Sequence, residues 1–213
     1  HKEILTLPRG PVESGPMWYA LARLAVTTWS AFCWGAGCGG ETGQYRTYLS
    51  RVIARNALFA NSLLFDLAAK LDLSGTTDFC IVSDVGTHFR NYCTLGSIAN
   101  EMMTLLRMNI HYNFGLEAHF KNPCDMYFST LTRRREDASL KVVIADVPDL
   151  KTVYEQEGKK RPSLAPAEFF YDFMPLRRRR CRSPSLYRPA SPCSLPSVTR
   201  GPSAWPTSAA RVW

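Results

Sequence analysis

Two aspartates have neighbours that suggest chemistry, Asp84 and Asp125, and both lie between residues 78 and 132. Each stands beside a similar phrase: His88-Phe89-Arg90-Asn91-Tyr92-Cys93 comes after Asp84, and His119-Phe120-Lys121-Asn122-Pro123-Cys124 precedes Asp125. Carboxylates on different elements that converge at a sheet edge can hold Mg²⁺ or Mn²⁺, because hard cations favour oxygen ligands. Two such ions about 4 Å apart clamp the attacking and leaving oxygens of a phosphodiester. Glu117 competes with Asp125 for that role. A different chemistry uses the same phrases: His88, Cys93, His119 and Cys124 supply four N/S ligands for a structural Zn²⁺. The short Cys-x-x-Cys knuckle common in such sites is missing. Plainer roles also fit. Asp84, in an Asp-x-Gly triplet, reads as a solvated turn residue, the histidines as hydrogen-bonded polar groups and the cysteines as small core residues.

The elements that must position these groups can be read from local pattern. Phe79-Cys80-Ile81-Val82 is a short, partly β-branched apolar run, which predicts a buried strand ending at Asp84, with Gly86 allowing a tight turn after it. RTYLSRVI (46–53) predicts a strand. Asn56 caps a helix through Lys70, since Asn at that position accepts from the helix's first free N–H groups. A second helix starts at Thr94 or Ser97 and runs through Leu106. Residues 108–114 alternate as a strand does. A third helix starts near Cys124-Asp125 and ends in Arg133, Arg134 and Arg135, where cations suit the helix dipole. LKVVIA (140–145) predicts a strand, and Asp149 a cap for a helix to Glu157. This alternation implies an α/β layer with both sheet faces covered.

Residues 17–38 are apolar, but Arg23 interrupts them and the remainder is too short for a membrane span. They predict one or two ill-defined core elements within a loosely patterned segment, 1–44, and no membrane partner. The glycine-rich stretch after them lacks the Lys-Ser/Thr of a phosphate-cradling loop. Seven irregularly spaced cysteines do not form a secreted disulfide framework. Residues 1–132 hold ten Lys/Arg and ten Asp/Glu, so the whole net charge of +8 lies in the last third. There Arg177, Arg178, Arg179 and Arg180 offer a phosphate-binding run or a nuclear address. Residues 161–213 form a basic, Pro/Ser-rich tail, and 183–213 have the composition of disorder. Solvated disorder alone explains that tail equally well.

The residues Val82-Ser83-Asp84-Val85-Gly86-Thr87-His88-Phe89 resemble the second-aspartate motif of the retroviral-type integrase and DDE transposase superfamily. Glu117-Ala118-His119-Phe120-Lys121-Asn122-Pro123-Cys124-Asp125-Met126-Tyr127-Phe128 is similar to the acidic-His-x-Lys-x-x-Cys-Asp-x-x-Phe motif of certain eukaryotic cut-and-paste transposons. RTYLSRVIARNALFANSLL resembles the strand and helix that precede the second aspartate there. The resemblance covers about residues 45–135 and implies a ribonuclease H-like core over 45–160, truncated or degenerate at its N-terminus. It implies Mg²⁺- or Mn²⁺-dependent DNA strand cleavage or transfer, a nuclear or otherwise intracellular setting, and DNA as partner. Homo-oligomers remain open. Asp84 is then the second metal-binding acid, Asp125 the third with Glu117 as rival, and Lys121 a phosphate contact. The family's first acid lies on a strand upstream of the helix at 56–70. Residues 1–65 contain no Asp, only Glu3, Glu13 and Glu41, and Asp66 falls mid-helix. The expectation is therefore a catalytically defective, DNA-binding domain, or a non-catalytic interaction module of the same fold.

Overall fold

A computed structural model describes residues 2–7, 24–38, 40–53, 56–83, 86, 89–115, 123–160, 165–175 and 210–212. In chain order the elements are β1 (Lys2–Leu7), β2 (Leu24–Gly35), β3 (Gly40–Ser50), α1 (Ala57–Lys70), β4 (Asp78–Ser83) and α2 (Tyr92–Ser97). A π-helical turn (Ile98–Met102), α3 (Met103–Leu106), β5 (Asn109–Phe114), α4 (Pro123–Ser139), α5 (Val147–Lys159), β6 (Ala167–Asp172) and β7 (Ala210–Val212) complete them. The strands form one mixed sheet in the order β5-β4-β7-β2-β3-β6, and β1 also pairs with β2.

β2 is the centre of the sheet because both of its faces are apolar. Trp29, Ala31 and Cys33 enter a core with α1, the π turn and β4; Val26 enters a second core on the opposite face with α4 and α5. A strand buried on both faces reads as a continuous apolar run instead of an alternation. Residues 17–38 thus hide one long strand, not one or two ill-defined elements. β3 returns antiparallel to β2 and alternates in the same way, with Tyr48 in the first core and Tyr45 and Leu49 in the second. The hairpin crosses the expected boundary at 44/45, so 24–44 belongs to the same sheet as the strands C-terminal to it. At its tip Gly37 has φ +73°, and a Cβ there would sit 1.5 Å from the Asp72 carbonyl oxygen. Only glycine fits so close an approach in that backbone region.

α1 begins as the sequence predicts: Asn56 Oδ1 accepts from the Phe59 N–H at 2.9 Å. It buries Phe59, Leu63, Leu64 and Leu67 against the first core. Each such side chain contributes roughly 1.5–3 kcal/mol of transfer free energy. Asp66 lies mid-helix and pairs with Lys70 one turn on. β4 and β5 run parallel beyond this core. The left-handed Arg107, φ 52°, ends α3 and turns the chain into β5.

The other face is built by α4 and α5, whose Tyr127, Leu131, Leu150 and Tyr154 are fully buried. Two expectations fail here. LKVVIA is not a strand but a turn with Leu140, Val142 and Val143 exposed, and only Ile144 enters the core. β-branched composition does not fix a strand unless a neighbouring edge is free to pair with it. The helix after it starts at Val147 with Asp146 as cap, and Asp149 completes a capping box by accepting from the Asp146 N–H. A third difference is β6, which pairs parallel with β3 where the sequence pattern fades.

β7 is the fourth difference. Residues 210–212, expected in a disordered tail, run antiparallel to β2 and parallel to β4. No other described strand joins the β4–β5 pair to β2. β1 lies antiparallel to β2 as well, opposite Leu24 to Trp29, whereas β7 lies opposite Cys33 and Trp34. β7 and β1 therefore succeed one another along the same edge of β2, both in the direction of β4.

Candidate functional site

Of the predicted site, the structure describes the frame at the carboxyl end of β4. The strand stops at Ser83, and Asp84 comes immediately after it, outside the described residues. His88, Glu117, His119, Lys121 and residues 177–180 also lie outside them. What can be placed is the frame around Asp84. Across the sheet Ile81 pairs with Val212, and Val212 pairs with Cys33. One step further along, Val82 is level with Phe32 on β2, two strand spacings or about 10 Å away.

Phe32 is where α4 begins. Backbone of Phe32 hydrogen-bonds the Cys124 thiol. The Pro123 carbonyl accepts from the Tyr45 hydroxyl at 3.4 Å, and Tyr45 stacks on Tyr127 with ring centroids 3.9 Å apart. These contacts seat the first turn of α4, with Asp125 in it, on the sheet at the level where β4 ends. Asp125 is half-buried. Burial pushes the Cys124 thiol up, and the neighbouring Asp125 charge pushes it further the same way. Cys124 is thus a protonated core residue.

Beside this frame the α4 face of β4 and β5 carries a polar row. Asp78 accepts from Thr77 Oγ1 at 2.6 Å and from Asn109 Nδ2 at 3.3 Å, and lies 3.1 Å from His111 Nε2. The Thr77 hydroxyl first, and then His111, hold the Asp78 carboxyl below its ordinary range. Asn113 Nδ2 lies 3.4 Å from the Cys80 sulfur. No buried residue of β4 or β5 belongs to the α4–α5 core, so α4 and α5 cover the β1–β2–β3–β6 side and leave this strip beside them. The row was not singled out in the sequence. Its signal is the alternation Asn109, His111, Asn113, with the polar residues two apart.

Two groups of sequence-predicted residues are not brought together. Cys93 is an exposed residue of α2, whose backbone carbonyl accepts from Asn61 of α1 at 3.5 Å. Cys124 is buried on α4, on the opposite side of the sheet. A sheet stands between them, so the four-ligand zinc set loses its geometry. Among the described residues no cluster of three or more His, Cys, Asp or Glu is placed to hold a metal. The arginines divide too. Arg133 is exposed. Arg134 is buried and forms a two-point pair with Glu168 of β6, Nη1 to Oε2 at 2.8 Å and Nη2 to Oε1 at 3.3 Å. Arg135 is buried as well, with Glu136 3.8 Å away. A guanidinium turned inward onto a carboxylate is not available to a phosphate, so Arg134 ties the helix to the sheet instead of facing DNA, and Arg135 is withdrawn by its burial.

One acid was passed over in the sequence. Glu3 stands on β1, in register with Thr28 of β2, upstream of α1 and in the edge position that β1 shares with β7. The strand KEILTL has neither a strict alternation nor a continuous apolar run, which is why the pattern did not mark it. Among the described residues no helix is long and apolar enough to cross a membrane. No family, curated protein or solved structure matches this chain.

Proposed function

We propose that this chain is a transposase-derived DNA-processing domain on a ribonuclease H-like core, and that it binds DNA without completing strand cleavage or transfer. The observation that carries the reading is the seating of Asp125 in the first turn of α4, level with the end of β4, the strand that leads into Asp84. What supports the reading is that the described ends of the two motifs, Ser83 at the end of β4 and Pro123–Phe128 in α4, lie towards one end of the sheet. Their donors are carboxylate oxygens, which fit Mg²⁺ or Mn²⁺ and not a soft metal. Bound there, a divalent ion would supply Lewis-acid polarisation of a phosphoryl oxygen. Asp84 and Asp125 would hold it, with Glu117 as substitute for Asp125. Two acids leave one metal position short of a charged ligand, which lowers the stabilisation of charge developing on the phosphate. The basic residues 177–180 and Lys121 supply phosphate contacts that need no active site.

A second reading has its own observation. Glu3 lies on a strand upstream of α1 that runs in the direction of β4. Position 3 also has the parity of Leu5 and Leu7, which enter the α4–α5 core. If Glu3 is the missing first acid, the domain is active. The two readings separate on a supercoiled plasmid with Mn²⁺. The defective domain binds duplex DNA with steep salt dependence and leaves the plasmid intact. Nicking that disappears in both Asp84→Asn and Glu3→Gln overturns it in favour of the active form. Phosphate contacts are tested by changing residues 177–180 to Gln, not by truncation, because a deletion would also remove β7 from the sheet. Four lost contacts flatten the slope of log K against log salt by about 3–4. No binding at low salt refutes the DNA reading altogether.

A further inference from the structure

We propose that β5 is a self-association edge through which two copies of this chain join their sheets antiparallel about a two-fold axis at Tyr112. β5 pairs with β4 on one side and with no other described strand on the other. The Asn109 N–H donates to the Thr77 carbonyl at 2.9 Å and the Gly115 N–H to the Ser83 carbonyl at 2.8 Å. Along a strand the backbone groups alternate sides, so the odd positions face β4. Ile110, Tyr112 and Phe114 therefore direct their N–H and C=O groups away from the sheet.

An open edge is ordinarily blunted by charge, Pro or a bulge. β5, Asn-Ile-His-Tyr-Asn-Phe, contains no Lys, Arg, Asp, Glu or Pro, and its pairing with β4 is regular from end to end. The opposite edge, β6, carries Glu168 and Asp172. The uncharged edge is also self-complementary. An antiparallel copy centred on Tyr112 sets Ile110 against Phe114 of its mate and Tyr112 against Tyr112, and on the other face His111 against Asn113. Apolar meets apolar, polar meets polar, and the outward even positions become the hydrogen-bonded pairs, about six bonds in all. Ile110 and Tyr112 are already anchored in the first core, and Phe114 meets Tyr112 edge-on at 4.9 Å. The aromatic faces are thus fixed before a partner arrives. A second copy is the occupant that this symmetry selects, since an isologous contact needs one self-complementary patch.

The test uses the full chain. Sedimentation over about 1–100 µM should give a reversible dimer, and Phe114→Lys should weaken it at least ~10-fold with the circular dichroism unchanged. Positions 111 and 113 of opposite copies form a non-hydrogen-bonded pair with Cα atoms about 4.5 Å apart, within disulfide reach. In a Cys93→Ser background, His111→Cys/Asn113→Cys treated with oxidised glutathione should give a covalent dimer on a non-reducing gel, and His111→Cys alone should not. A monomer across the range, or a dimer indifferent to Phe114→Lys that never cross-links, overturns the proposal.

Discussion

Replacing Glu168 by Gln removes a charge that the fold has enclosed. The side chains of Arg134 and Glu168 are only 10% and 6% exposed, and two hydrogen bonds join them across α4 and β6. The amide keeps one acceptor but turns an N–H toward a guanidinium N–H, so one bond is lost and the buried cation stands uncompensated. Breaking such a pair costs about 3–5 kcal/mol, and the acceptor that remains sets the expectation near 3. With a urea slope of about 2 kcal/mol/M, the unfolding midpoint falls by roughly 1.5 M at unchanged slope. The double change Arg134→Met/Glu168→Leu removes both charges and should return to within about 1 kcal/mol of the parent, since an apolar pair replaces an ionic one at little net cost. Both variants are tracked by fluorescence against urea, and the double variant also by DNA binding. A Glu168→Gln midpoint within the error of the parent refutes the enclosed-charge argument. A double variant of native stability that loses DNA binding would return Arg134 to the phosphate-contact role the sequence suggested.

The same junction makes Gly158 sensitive: a Cβ there would lie 2.8 Å from Glu168 Oε2. Gly158→Ala should therefore displace the carboxylate and cost about 1–2 kcal/mol despite the better helix former, and a stabilised variant would contradict this. Burial pushes the Cys38 thiol up to about 11, against the opposing pull of Arg46. The folded state thus favours the neutral thiol, and the stability it contributes is complete below about pH 9 and lost as pH rises through about 11. The stability difference between the parent and Cys38→Ala should narrow over that window, and alkylation of Cys38 at pH 8 as fast as that of exposed Cys93 would refute it.

Where pattern and burial coincide, the sequence is a good guide. β4, α1, β5 and α4 each have one buried face or a side-chain cap, and Asn56 marks its helix start because the capping group is local. β2 escapes the same method, since burial of Val26 and Trp29 on opposite faces erases the alternation. LKVVIA misleads for the opposite reason: apart from the buried Ile144, its apolar residues Leu140, Val142 and Val143 form no strand and stay exposed. β6 and β7 are recruited by edges elsewhere in the sheet, which no window of local sequence contains. The site divides likewise. Asp125 is legible from its helix start, whereas Glu3 and the inward turn of Arg134 depend on partners remote in the chain, Thr28 and Glu168.

The three residues of β7 also set an order of events. The strand pairs on one flank with β2 and on the other with β4. Apolar contacts of Trp29 and Tyr48 with Phe79 and Ile81 can form early, because all four belong to one core and lie well before β7 in the chain. The hydrogen-bonded ladder across that seam waits until residue 212 has left the ribosome. During synthesis the edge of β2 at Cys33 and Trp34, beyond the part that β1 covers, and the facing edge of β4 stay unstitched, and in that interval they are exposed to a strand from another nascent chain. Completion of the sheet is a late zipping step, and its rate depends on how quickly residues 210–212 find a gap already built to receive them.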